Sequence, residues 1–394
     1  MRKATLLFLC GVMALASCTP DSPSGKDGSL EGTEVSVAGF PLSSGKLFVL
    51  NEGQMGTNNA TLDFLSIPEG KYVRNTFEAM NPDAGRLGDV GNDIAVRGSE
   101  VWMVVNNSGL VEVVSAKDET EIASISVPTP RNIAFDGKYA YVTSWAGAYA
   151  DYDYDSSGNR SLSSYENPKG RVYRIDIDRK KVDGSVEVGY QPEGIACYKG
   201  KLYVANSGGV ASQLPPSYSY EKTISIIDTK TFKVTGSFDV RVNLKGVFSD
   251  GKGIIYITSL GNFSNEHSGL FAYDVSEGTL CHISDYVSAA ALSGSTVHWI
   301  GTETEFDWGA QHVYKTCYYD GIPGKGTVKT SDIATGSSTP FSLAVFGKGK
   351  DAVYIIGDAG DYVNPGTLSC YAGGKRVWSV LAGVCPGHFA YWGK

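Results

Sequence analysis

Charge is scarce in this chain: only 19% of its 394 residues are Asp, Glu, Lys or Arg, against roughly 25% in ordinary soluble domains. No run of Lys and Arg longer than three residues occurs, and acidic residues outnumber basic ones by 42 to 34. A nucleic-acid binder needs a basic face to displace phosphate counterions, so this composition argues against that class. Long apolar runs are also missing. The stretch Ala4 to Ala14 is well short of the roughly 20 residues a bilayer-spanning helix needs. Metal and nucleophile signatures are absent too. His267, His282, His298, His312 and His388 show no ligand spacing, there is no CxxC, and no nucleophile elbow, phosphate loop or Ser/His/Asp set can be read. What is abundant excludes disorder: 42% hydrophobic residues, with 48 Gly and 23 Tyr, describe a chain of strands and turns with a large core.

The N-terminus reads as an address. Arg2 and Lys3 precede the short apolar stretch as in a secretory signal peptide. The segment Leu15-Ala16-Ser17-Cys18 resembles the lipobox of bacterial lipoproteins, which implies a lipidated Cys18, removal of residues 1–17 and attachment to a membrane by lipid alone. That removal takes two basic residues and no acidic one, moving the net charge from -8 to -10. Residues 18–44, rich in Ser, Gly, Pro and Asp, are expected to be a flexible tether, and 45–394 the globular body. Within it lie Cys197, Cys281, Cys317, Cys370 and Cys385. An odd number cannot all pair, and buried structural thiols are the expectation.

From Gly45 onward one sentence repeats. Leu47-Phe48-Val49-Leu50-Asn51 recurs as Val101-Trp102-Met103-Val104-Val105-Asn106, as Leu202-Tyr203-Val204-Ala205-Asn206, and in four further copies whose second residues are Tyr141, Tyr256, His298 and Tyr354. The mean spacing of 51 residues suits a four-stranded propeller blade and is too long for leucine-rich or tetratricopeptide repeats. A short strand rich in small residues, such as Asp93-Ile94-Ala95-Val96 or Gly194-Ile195-Ala196-Cys197, precedes six of the runs. Its seventh copy, His388-Phe389-Ala390-Tyr391, stands at the C-terminus with no run after it, while the first run has no such strand before it. Pairing those two ends would close the ring without exposed edges. The expected fold is all-β, a seven-bladed β-propeller closed by its N- and C-terminal strands.

In this repeat order the loops after the second strands and before the first strands gather on one face, here the upper face, around the channel mouth, where a rigid frame presents ligand-binding groups. Those loops are rich in aromatics, Tyr220 and Phe263 among them, and in polar residues such as Glu193 and Lys245. Ten positions are singled out as ligand contacts: Asn51, Glu52, Asn106, Arg131, Trp145, Gln191, Asn206, Trp308, Tyr362 and His388. Exposed aromatics suit stacking on a flat or sugar-like ligand, and amides, carboxylates and guanidinium groups suit a polar rim. The alternative is that the aromatics form local mini-cores and the Asn and Asp make turns. The alternating carboxylates of residues 151–159 partly match a calcium loop, but Gly158 falls at the sixth place only when counting from Asp153, and no Glu then occupies the twelfth.

The phrase Leu202-Tyr203-Val204-Ala205-Asn206, with Gln191-Pro192-Glu193-Gly194 before it, resembles the repeat of YVTN-type propellers. The segment from Val49 to Leu62, the lipobox and the closing Pro386-Gly387-His388-Phe389-Ala390 are similar to BtuG-type surface lipoproteins of Bacteroidetes. That resemblance implies a binder rather than an enzyme: a lipid-anchored outer-membrane protein at the cell surface that captures cobalamin and hands it to a TonB-dependent transporter of BtuB type. No cofactor beyond that bound ligand is implied. Glycan binding by the same aromatics, or lyase chemistry at the channel mouth, are the competing functions, because this fold hosts all three.

Overall fold

A computed structural model describes residues 30–156, 160–210, 218–302, 314–334 and 339–393. Seven antiparallel sheets stand in a ring, each with its innermost strand at the axis. The innermost strands are Gly91–Arg97, Pro130–Asp136, Pro192–Tyr198, Leu244–Ser249, Val287–Ser293 and Pro340–Phe346 in blades 2 to 7, and Pro386–Trp392 in blade 1. Blade 1 is therefore built from both chain ends. Its C-terminal strand lies antiparallel to Lys46–Asn51, with Ala390 opposite Phe48.

The repeated run is the second strand of every blade. Both of its faces meet neighbouring blades, so its side chains are buried in alternation to either side. Phe48 and Leu50 pack toward Ile94 and Met103 of blade 2, while Leu47 and Val49 pack toward Ala344 and Ile355 of blade 7. The aligned residues Phe48, Trp102, Tyr141, Tyr203, Tyr256, His298 and Tyr354 are all at most 2% exposed. Each such burial contributes on the order of 1.5–3 kcal/mol, and the core is thereby distributed between blades rather than gathered at one centre. Inner strands approach closely enough that small residues are required. A Cβ on Gly194 would meet the backbone nitrogen of Val247 in blade 5 at 2.5 Å.

Two expectations change. Residues 32–42, expected in the tether, belong to the folded body, because Gly32–Glu34 adds a fifth strand to blade 1 beside Lys71–Val73. Behind it Val35, Phe40 and Leu42 pack on the cluster between blades 1 and 7, with the rings of Phe40 and Phe346 5.2 Å apart. The long insertions of blades 3 and 4 contain hairpins, Tyr149–Tyr154 with Arg160–Glu166, and Gly208–Val210 with Tyr218–Tyr220. The Asp-Tyr-Asp-Tyr alternation, read as a calcium-like loop, has the period of a strand. Its backbone is extended over 151–154 rather than wound around an ion, and 157–159 lie outside the described residues, as do Cys18 and Trp308.

Candidate functional site

The second residue of each innermost strand contributes to a ring at the upper mouth: Asn92, Arg131, Glu193, Lys245, Ser288 and Phe341 in blades 2 to 7. Blade 1 has Gly387 there. A Cβ at Gly387 would lie 2.9 Å from the Glu52 carboxylate, so the missing side chain lets Glu52 reach over from its own loop and meet His388 Nε2 at 2.9 Å. Burial pushes the Glu52 carboxyl up, but its hydrogen bond to His388 and the charges of His388, Lys245 and Arg131 outweigh burial and hold it below the usual carboxylate range. Those influences place the acid and the bases across one mouth.

Arg131 donates from Nε and Nη2 to the Glu193 carboxylate at 3.0 to 3.2 Å, and both residues are under 9% exposed. A desolvated pair of this kind is costly to break from one side only. The Arg131 guanidinium also lies 4.4 Å from the centre of the Trp145 ring, a contact worth roughly 0.5–2 kcal/mol. Lys245 Nζ stands 3.5 Å from the same Glu193 carboxylate with its side chain 44% exposed, beyond ordinary N–H···O distance. Asp93 completes the mouth, accepting the backbone N–H groups of Ile94 and Ile133. Burial raises its pKa against the opposing pull of His388 and these bonds.

Off the axis, between blades 3, 4 and 5, the upper face holds a cavity of about 430 Å³. Trp145, Tyr220 and Phe263 form its aromatic wall, and Gln191, Ser207 and Lys245 its polar one. Phe263 is 72% exposed and has a φ of 57°, a left-handed backbone that costs a bulky residue on the order of 1–3 kcal/mol. The loop carries that strain while presenting the ring to solvent. Tyr362, on the corresponding loop of blade 7, also has positive φ, at 63°, and lies edge-on to Phe341.

Of the ten singled-out positions, Arg131, Trp145 and Gln191 line this cavity, Glu52 and His388 pair at the mouth, and Tyr362 packs beside it. The three Asn are structural. Asn51 donates to Thr61 and accepts from the Gly383 N–H. Asn206 donates to Thr223 and Ser225 and accepts from the Gly189 N–H. Asn106 donates to the Pro130 carbonyl. All three are at most 5% exposed, because the upper end of the second strand is still covered on both sides. Lys245, Glu193, Tyr220 and Phe263 belong at the site and stand in the wider set of rim residues. In sequence Asp93 stands only as a strand residue of the repeat, and its position two residues into an innermost strand is the signal that marks it. The five thiols are free, and burial pushes Cys370 up to about 12, an unreactive thiol.

No family model matches the chain, and no curated protein matches its sequence. Among solved structures it is similar to the hydrazine synthase of Kuenenia stuttgartiensis, with 16% identity, a TM-score of 0.55, and 76% of this chain and 89% of that one covered. A putative 6-phosphogluconolactonase from Bacteroides fragilis aligns at 11% identity and a TM-score of 0.52, covering 89% of this chain and 98% of that one. Likeness at such identity speaks for the shared fold and leaves function to the site, and the fold it supports is the seven-bladed β-propeller.

Proposed function

We propose that the protein is a lipid-anchored cell-surface binder that captures a corrinoid such as cobalamin on the upper face and delivers it to a TonB-dependent outer-membrane transporter of BtuB type. The observation that carries this reading is the off-axis cavity. It sets three aromatic side chains against an amide, a hydroxyl and an ammonium group on loops held by a rigid ring, which suits a flat macrocycle edged with amides. The Arg131–Glu193 pair that lines it is engaged within itself, an arrangement that fixes dipoles for recognition. The strand Gly32–Glu34 lies at the outer edge of blade 1, across the ring from blades 3 to 5.

Titration with cyanocobalamin at micromolar protein, followed by visible absorption and co-elution, tests the reading. A spectral shift and a co-eluting complex are expected, with Trp145→Ala and Phe263→Ala each weakening binding at least about tenfold. No shift and no co-elution would sink it. Glycan capture by the same aromatics is the second reading, favoured by the exposure of Phe263. Retardation on host or dietary polysaccharides in affinity electrophoresis, abolished by Trp145→Ala, would select it instead.

A further inference from the structure

The axis itself is hollow. A channel of about 510 Å³ runs from Lys245, Asp93 and His388 at the mouth down to Phe248, Leu292 and Phe346, a size typical of small-molecule sites. The ladder registers explain the space. Opposite the third residue of the repeated run, blades 1 to 5 place Phe389, Ile94, Ile133, Ile195 and Val247, whereas blades 6 and 7 place Ala290 and Ala344. Seven backbones cannot close further to fill the volume those two alanines leave, so the wall is recessed on one side. Among the described residues the lining below the mouth is predominantly apolar, and charge is confined to the upper end.

At that end the acids among the described residues are engaged: Glu193 by Arg131, Glu52 by His388, and Asp93 by two backbone N–H groups. Lys245 differs. Its ammonium has three donors, is half exposed, and meets the Glu193 carboxylate only at 3.5 Å, an oxygen pair already bonded to Arg131. The site therefore offers a cation above an apolar shaft.

We propose that the axial channel is a binding site for a small amphiphilic carboxylate, its head on Lys245 and its alkyl chain along the recess of blades 6 and 7 toward Phe248 and Phe346. Along the innermost strand of blade 7, five residues separate Phe341 at the mouth from Phe346 at the lower end, about 16 Å at 3.3 Å per residue, which accommodates a chain of the length of decanoate. This site is separate from the proposed corrinoid cavity and shares only the Lys245 and Leu260 edge with it.

Isothermal calorimetry with decanoate and decanol, below their aggregation limits, decides it. Saturable binding of one decanoate is expected, at least tenfold tighter than decanol, with Lys245→Met erasing that preference. Ala290→Ile, which restores the bulk present in blades 2 to 4, and Ser288→Phe, placed at an exposed position of the mouth, are each expected to weaken decanoate at least tenfold in protein whose circular dichroism and melting match the parent. Ala290→Ile leaves cyanocobalamin titration as in the parent, so failure of either reading is seen separately. Absence of saturable decanoate binding, a preference that survives Lys245→Met, or folded Ala290→Ile and Ser288→Phe proteins that bind as the parent does would overturn the proposal.

Discussion

His298 takes the place that Phe, Trp or Tyr holds in the other six blades, and it is fully buried with Nδ1 3.0 Å from the Tyr354 hydroxyl. Burial pushes its pKa from 6.5 down to about 4. The unfolded chain gains this proton near 6.5 and the folded chain only near 4, so stability falls as pH drops through that window. Glu112 works in the opposite sense. It is 5% exposed, with Ser124 donating to one oxygen and no partner at the other among the described residues, and burial pushes it from 4.5 up to about 7. The folded state protonates first, so stability rises as pH falls from 7 toward 4.5. Each displacement amounts to about 3 kcal/mol when fully developed, and the two largely offset in the parent. Urea unfolding at pH 8, 7 and 4.5 is expected to separate them. Glu112→Gln should be more stable than the parent by about 3 kcal/mol at pH 8 and nearly equal to it at pH 4.5. His298→Phe should lose about 2–3 kcal/mol less than the parent between pH 7 and 4.5. Identical pH dependences in all three proteins would refute both assignments.

Among elements, the second strands were the most legible, because a strand covered on both faces reads as a nearly unbroken apolar run and recurs once per blade. The segment from 30 to 44 was the least legible. It is polar and turn-rich, and its anchoring side chains, Leu30, Val35, Phe40 and Leu42, have no period that a strand or helix would impose. A protein beginning at Gly45 loses the strand Gly32–Glu34 and uncovers Phe346 and Tyr72, so its melting temperature is expected to fall by several degrees, with Phe40→Ala falling part of the way. Scanning calorimetry checks this, and an unchanged midpoint would return the segment to the role of a free tether. The hairpin Tyr149–Tyr154 with Arg160–Glu166 is legible only in part. Its alternation was visible, but carboxylates every second residue also match a cation loop, and only pairing with a partner strand separates the two patterns.

For the molecule as a whole, the apolar clusters lie between adjacent blades, so no blade has a core of its own. The ring is expected to unfold in a single calorimetric transition. Ending the chain at Cys385, which deletes the innermost strand of blade 1, is expected to abolish that transition rather than remove one seventh of its enthalpy. A truncated protein that keeps a cooperative transition at reduced enthalpy would show that blades are independent units. Blade number, strand order and closure through the two termini were determined by the sequence alone, since each follows from local periodicity and from counting repeats. Only the tertiary structure decided which residues meet. Glu52 and His388 are 336 positions apart, and their contact depends on the bare backbone of Gly387. Arg131, Glu193 and Lys245 come from three successive blades, and the axial channel exists because Ala290 and Ala344 line the same side of it. Alternation along a strand states which face a side chain takes, whereas its neighbour across the ring is set by the angle and spacing of blades, a property of the closed assembly.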